Sequence, residues 1–258
     1  MEGSVEKYPN IEHVNSLQHP SVHIRYPEKL DKILEGLFHG GLQQLQVIAD
    51  FDMTISRFHL NNERCLTCYG ILSSSKHLPA SYREAAEELK NKYYPIEICH
   101  EMSAEQKIPY MLEWYHKAHQ LLAQSCITRQ KLKEMVSNAK VALRDGATEL
   151  FLILATHDVP LLIFSAGLGD LIEEGHMTGL KGDLIHMFNK NETAVQHEDY
   201  FKQLKGKNNV ILLGDSLGDV HMATGVIDIN VVLKIGFLND NASTFFTVTY
   251  CSILSCTS

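Results

Sequence analysis

Hydrophobic and polar positions follow two different periods along this chain. Short, nearly continuous apolar runs occur at Leu45–Asp50 (LQVIAD), Pro160–Phe164 (PLLIF), Val210–Gly214 (VILLG) and Val231–Gly236 (VVLKIG). Such runs predict parallel strands covered on both faces. Elsewhere the apolar positions recur at helical spacing. Leu30, Ile33, Leu34 and Leu37 predict a helix over Glu28–Phe38, with Gly40-Gly41 as its stop. Further helices are predicted over Pro79–Lys92, from Ser103 to about Gln124, over Lys131–Asn138 and over Thr148–His157. Ser103-Ala-Glu-Gln106 fits a capping box at the start of the long one. Residues 1–25 are polar and lack a strong period, and Tyr200–Leu204 reads as the end of a connecting helix. The expected organisation is an α/β core, residues 1–58 and 141–258, interrupted by a helical module at 59–140.

Composition narrows the class without changing the architecture. The 258 residues suffice for one core, and 45% hydrophobic with 21% charged residues is ordinary for a folded domain. Lys and Arg number 23 against 31 Asp and Glu, giving a net charge of −8. That balance argues against a polymer of nucleic acid as partner, because phosphate backbones demand a basic face. No apolar run is long enough to cross a bilayer, so no membrane partner is expected. The N-terminal MEGSVEKYPN lacks the basic-then-apolar pattern of an export signal, which predicts a cytoplasmic chain with reduced thiols. Cys65-Leu-Thr-Cys68 has a zinc-like spacing, yet no second pair follows at finger distance, so free thiols are the simpler reading.

The chemistry-bearing residues lie where the predicted strands end. The first strand runs into Asp50-Phe-Asp52-Met-Thr54, the second into Ser165-Ala-Gly167, and a later one into Gly214-Asp215-Ser-Leu-Gly-Asp219. In parallel α/β sheets, ligands bind at the carboxyl ends of the strands, so these segments should converge. Four carboxylates in one crevice repel one another unless a cation is present, and Mg²⁺ suits an all-oxygen donor set beside a phosphate. Each acid alone is more often a helix cap than a ligand; the conjunction of all three segments is what points to a site.

The segments VIADFDMTISRF (Val47–Phe58), FSAGLGD (Phe164–Asp170), FNK (Phe188–Lys190) and ILLGDSLGD (Ile211–Asp219) resemble the four signature motifs of haloacid dehalogenase-type phosphatases. KYYPIEI, EWYHKAH and KGDLIH bring the resemblance closer, to the cytosolic pyrimidine 5′-nucleotidase family, which includes a branch preferring 7-methylguanosine monophosphate. The similarity extends from about Pro27 to Asp240. It implies a haloacid dehalogenase-like Rossmannoid parallel sheet with an inserted helical cap. The implied activity is Mg²⁺-dependent hydrolysis of nucleoside 5′-monophosphates, the small-molecule partner, through an aspartyl-phosphate.

By matching position, Asp50 resembles the nucleophile and Asp52 the general acid and base. The implied metal set is Asp50, the backbone carbonyl of Asp52, Asp215 and, as ligand or support, Asp219. Ser165, the Ala166 amide and Lys190 would hold the phosphoryl group. Glu97 resembles the residue that meets the base edge, and Trp114 and Tyr115 could stack on the base or simply pack within the helices. Tyr115 and Ala118 resemble different branches of the family, so the choice between UMP or CMP and 7-methyl-GMP stays open. Transfer of the phosphoryl group to an acceptor nucleoside is open as well. His116 and His119 are read as surface or pocket edge rather than metal ligands.

Two departures from the family pattern stand out. The connection between Glu174 and Lys181 is shorter, where the family carries a helix end and an edge strand; the tail NASTFFTVTYCSILSCTS replaces a charged helix and a further strand. Together they imply a shortened isoform or gene model. They leave a second functional reading, an inactive or unstable variant of the family. The tail's composition favours β-aggregation unless it packs somewhere.

Overall fold

The structure, a computed structural model, describes residues 10–99, 101–165, 204–239 and 253–256. These fall into two compact units. One holds residues up to Ser56, Leu143–Phe164 and the described residues from 204 onward; the other holds Arg57–Ala142 together with Ser165.

The first unit is built on a sheet of β1 (Val22–His23), β2 (Leu45–Ala49), β5 (Leu161–Ile163), β6 (Asn209–Gly214), β7 (Val231–Leu238) and β8 (Ile253–Cys256), in the order β1-β8-β7-β6-β2-β5. All neighbours are parallel except β1 and β8. The four runs read from the sequence are strands. β2, the earliest of those four, lies between β5 and β6, with Ala49 level with both Ile163 and Leu213. Central strands β2 and β6 are buried on both faces, which is why they read as continuous apolar runs rather than alternating ones. Val47, Ala49 and Leu213 pack on Ala147 and Leu154 of α6 (Ala147–Thr156), and Leu233 packs on Leu30 of α1 (Pro27–Gly40). On the opposite face Ile48, Val210 and Leu212 are at most 1% exposed.

The tail expected to be a liability contributes β8, which pairs in parallel with β7 and antiparallel with β1. The predicted helix end at Tyr200–Leu204 falls outside the described residues except for Leu204, which sits in a turn.

The second unit is helical: α2 (Cys68–Ser74), α3 (Ala80–Glu97), α4 (Ala104–Gln124) and α5 (Arg129–Asn138) around Leu72, Leu78, Tyr82, Leu122, Ile127 and Met135. The capping box of α4 forms in both directions: Ser103 N–H donates to Gln106 Oε1 at 2.8 Å, and Gln106 N–H to Ser103 Oγ at 3.4 Å. Helix α3 runs five residues beyond the expected Lys92 and continues through Pro95. Pro95 forfeits one donor, but the last turn is closed by Ile98 N–H to the Tyr94 carbonyl and Cys99 N–H to that of Ile96. Two elements escape the periodicity. They are α2, capped by Thr67, and the hairpin of β3 (His59–Leu60) and β4 (Glu63–Arg64). The hairpin turns through Asn61 and Asn62 at φ 54° and 62°, the left-handed pair that Asn tolerates in a two-residue loop. No described helix is long and apolar enough to cross a membrane.

Candidate active site

At the carboxyl end of β2 the chain leaves the sheet held on both sides. Asp50 N–H donates to the Leu213 carbonyl at 3.0 Å, and Phe164 N–H donates to the Ala49 carbonyl at 2.7 Å. Asp50 is 5% exposed. The chain then makes one wide turn, closed by Ser56 N–H to the Phe51 carbonyl at 2.9 Å, an i to i+5 bond of the kind found at functional bends. Asp52 lies in this turn and is half-buried; Met53 follows at φ 63°.

At the end of neighbouring β6 the chain folds back tightly. Asp219, 2% exposed, accepts on Oδ2 from Asp215 N–H at 3.2 Å, Ser216 N–H at 2.9 Å and the Ser216 hydroxyl at 2.8 Å. The fold-back brings Asp219 against Gly214, where an added Cβ would stand 2.5 Å from the Asp219 Cβ; only glycine fits.

Asp50, Asp215 and Asp219 each present a carboxylate oxygen within 4.8 Å of the others. Among the described residues this is the group of three or more potential metal ligands. Two unit charges at that spacing repel by about 3 kcal/mol at an effective dielectric constant of about 20, so the cluster calls for positive charge. Its donors are all oxygen, which suits a hard divalent cation such as Mg²⁺ and not zinc in a thiolate site. The Asp52 side chain is not part of the cluster. Ser165 follows Phe164 beyond β5 and is half-buried. Ala166 and Lys190 lie outside the described residues.

In the helical unit, Glu97 is the last residue of α3, and the Lys107 ammonium donates to its carbonyl at 2.8 Å. Burial pushes the Glu97 carboxyl up from 4.5 to about 7, while the charge of Lys107 pulls it back. Trp114 stacks on the fully buried Tyr93, centroids 5.9 Å apart and rings at 17°. Tyr115 meets Tyr69 edge-on at 6.0 Å and His119 at 6.1 Å. The Tyr69 hydroxyl lies 2.8 Å from His119 Nε2. Burial, and secondarily His116, push His119 down to about 4, leaving the ring neutral near pH 7. Trp114, Tyr115 and Ala118 are each half-buried on α4.

No sequence spacing reveals Asn239, which reaches Asp215 of the cluster, or Arg144, which bonds Asn239 and the turn after Asp52. Arg144 Nη2 donates to the carbonyl of Met53 at 2.6 Å and to Asn239 Oδ1 at 3.1 Å, and Nε to the Thr54 carbonyl at 2.8 Å. Asn239 Nδ2 donates to the Met53 carbonyl at 2.9 Å and to Asp215 Oδ2 at 3.4 Å.

Comparison with known proteins gives the family. The family model for pyrimidine 5′-nucleotidase (UMPH-1) matches residues 53–175 and 172–250. The chain is 42% identical over 253 residues to the human 7-methylguanosine phosphate-specific 5′-nucleotidase, covering 89% of this chain and 84% of that protein. It is 29% identical over 256 residues to the enzyme of the same name from Drosophila melanogaster, covering 90% and 80%. A crystal structure of cytosolic 5′-nucleotidase IIIB bound to cytidine superimposes with a TM-score of 0.88 at 27% identity, covering 96% of this chain and 92% of that one. The parallel-sheet α/β architecture expected from the motifs is therefore the one observed. The chain belongs to the pyrimidine 5′-nucleotidase (UMPH-1) family, a family of 5′-nucleotidases.

Proposed function

We propose that this protein is a Mg²⁺-dependent 5′-nucleotidase that hydrolyses nucleoside 5′-monophosphates through an aspartyl-phosphate on Asp50. The observation that carries the reading is the convergence of Asp50, Asp215 and Asp219 at the ends of adjacent parallel strands. In the first step an Asp50 carboxylate oxygen bonds to phosphorus as the bond to the 5′-oxygen breaks, and Asp52 gives its proton to that oxygen. In the second, Asp52 takes a proton from water, whose oxygen bonds to phosphorus as the bond from phosphorus to the Asp50 carboxylate oxygen breaks. Phosphate leaves and both aspartates are restored. Asp50 must therefore be ionised and Asp52 protonated when substrate arrives. Ser165, the Ala166 amide and Lys190 are assigned to the phosphoryl oxygens. Asp50, Asp215, the Asp52 carbonyl and Asp219 would hold the Mg²⁺, which when bound neutralises the clustered charge and that of the phosphate.

Base selection is assigned to the helical unit, with Glu97 at the base edge and Trp114, Tyr115 and Ala118 beside the ring. Relatives named for 7-methylguanosine phosphate and a structural neighbour bound to cytidine support both UMP or CMP and 7-methyl-GMP as substrates to test. A cytoplasmic location accords with the neighbour's designation as cytosolic. Phosphate release from UMP, CMP and 7-methyl-GMP, with and without Mg²⁺, beside Asp50→Asn, tests the proposal. Release from at least one substrate that requires both Mg²⁺ and Asp50 is expected. Its absence with all three, from folded protein, overturns the reading.

A further inference from the structure

We propose that Arg144 and Asn239 are positioning residues for the carboxylate site. Arg144 holds the turn that carries Asp52, and Asn239 ties that turn to Asp215. The proposal rests on the reading of Asp50, Asp52 and Asp215 as the reacting and metal-holding groups.

Met53, the residue after Asp52, stands at φ 63° and ψ 1°, a left-handed conformation that is unfavourable for a side chain with a Cβ and persists only if the surroundings dictate it. Its peptide groups are held three times. Met53 N–H donates to Ser56 Oγ at 2.9 Å, and its carbonyl accepts from Arg144 Nη2 and Asn239 Nδ2. The next carbonyl, Thr54, accepts from Arg144 Nε, so one guanidinium spans two successive peptides. Arg144 is itself confined. Its N–H donates to the Ile55 carbonyl at 2.8 Å, and its guanidinium carbon lies 4.2 Å from the centre of the Phe237 ring. A planar fork with fixed donor directions can do this; a lysine ammonium, a single point, cannot bridge both carbonyls in the same way.

Asn239 closes the arrangement. Its Oδ1 accepts from Arg144, and its Nδ2 serves both the Met53 carbonyl and Asp215 Oδ2. One carboxamide at the end of β7 thereby connects the segment after β2 with the segment after β6. A network that only stitched the fold together would leave the chemistry of a folded variant intact. One that sets the spacing of Asp52 and Asp215 would show in turnover and metal affinity while leaving substrate affinity nearly unchanged.

The test uses the full chain as wild type, Asn239→Ala and Arg144→Lys, with Asp50→Asn as the inactive control. Hydrogen exchange over residues 50–56 is measured in metal-free protein, and turnover is measured with UMP, CMP or 7-methyl-GMP against Mg²⁺. In folded Asn239→Ala, faster exchange at residues 53–56 is expected, with kcat down about tenfold or more, half-saturating Mg²⁺ up about tenfold and KM within about threefold. Arg144→Lys should fall between wild type and Asn239→Ala. If Arg144→Lys does not fold, Asn239→Ala decides alone. Wild-type exchange, or wild-type kcat and Mg²⁺ dependence in folded Asn239→Ala, overturns the proposal. A wild-type protein without Asp50-dependent turnover removes the functional reading instead, and exchange then still decides whether the two residues hold the turn.

Discussion

Glu97 illustrates how one residue can carry opposed demands. Its carboxyl is held near 7 by burial, so between about 4.5 and about 7 it binds more protons in the folded chain than in the unfolded one. Burying it therefore costs stability that appears as pH rises through that window and is complete above it. Glu97→Gln should stabilise the fold by up to about 3 kcal/mol at pH 8 and by little at pH 4, as read from urea midpoints at the two values. If the ionised form accepts from an exocyclic amine, kcat/KM for CMP relative to UMP should rise several-fold from pH 6 to pH 8, and Glu97→Gln should flatten the profile. Lys107 opposes the burial effect, so Lys107→Met should move the midpoint of that profile upward. It should also destabilise the chain by about 1–3 kcal/mol, because the Glu97 carbonyl loses its charged donor. A pH-independent CMP to UMP ratio in wild type would separate Glu97 from base recognition.

At the scale of elements, the site depends on how chains leave strands. The end of β6 can fold back because Gly214 lets Asp219 approach to a distance that a methyl group would occupy. Gly214→Ala should displace Asp219 and its three donors, lowering turnover by about tenfold or more and stability by about 1–3 kcal/mol. Turnover and thermal unfolding measured together check this, and a variant equal to wild type in both would remove Asp219 from the site's support. Elements were legible where the signal is local. Ser103 and Gln106 announce the start of α4, and the apolar runs announce β2, β5, β6 and β7. The β3–β4 hairpin and α2 were not, because their apolar stretches are too short to show a period. The true end of α3, five residues beyond the expected Lys92, was also hidden, since the bonds that close its last turn past Pro95 leave no periodic trace.

For the whole molecule, the tail is the point at which local reading and long-range pairing diverge. Composition alone marks it as aggregation-prone, yet β8 supplies a strand between β7 and β1. Deleting residues 253–258 should expose the outer edge of β7, lowering Tm by at least about 5 °C and promoting association on warming. Scanning calorimetry with light scattering checks this; an unchanged Tm would make β8 dispensable. The sequence by itself determined the four central strands β2, β5, β6 and β7, that acids follow two of them, and which family those motifs resemble. All of these are encoded within a few residues of one another. Only the tertiary structure decided that β2 lies between β5 and β6, that the carboxylates of Asp50, Asp215 and Asp219 meet without that of Asp52, and that Arg144 and Asn239 bind the turn at Met53. Those contacts join residues about 90 to 190 positions apart, and no local period records a pairing that exists only once the sheet has closed around it.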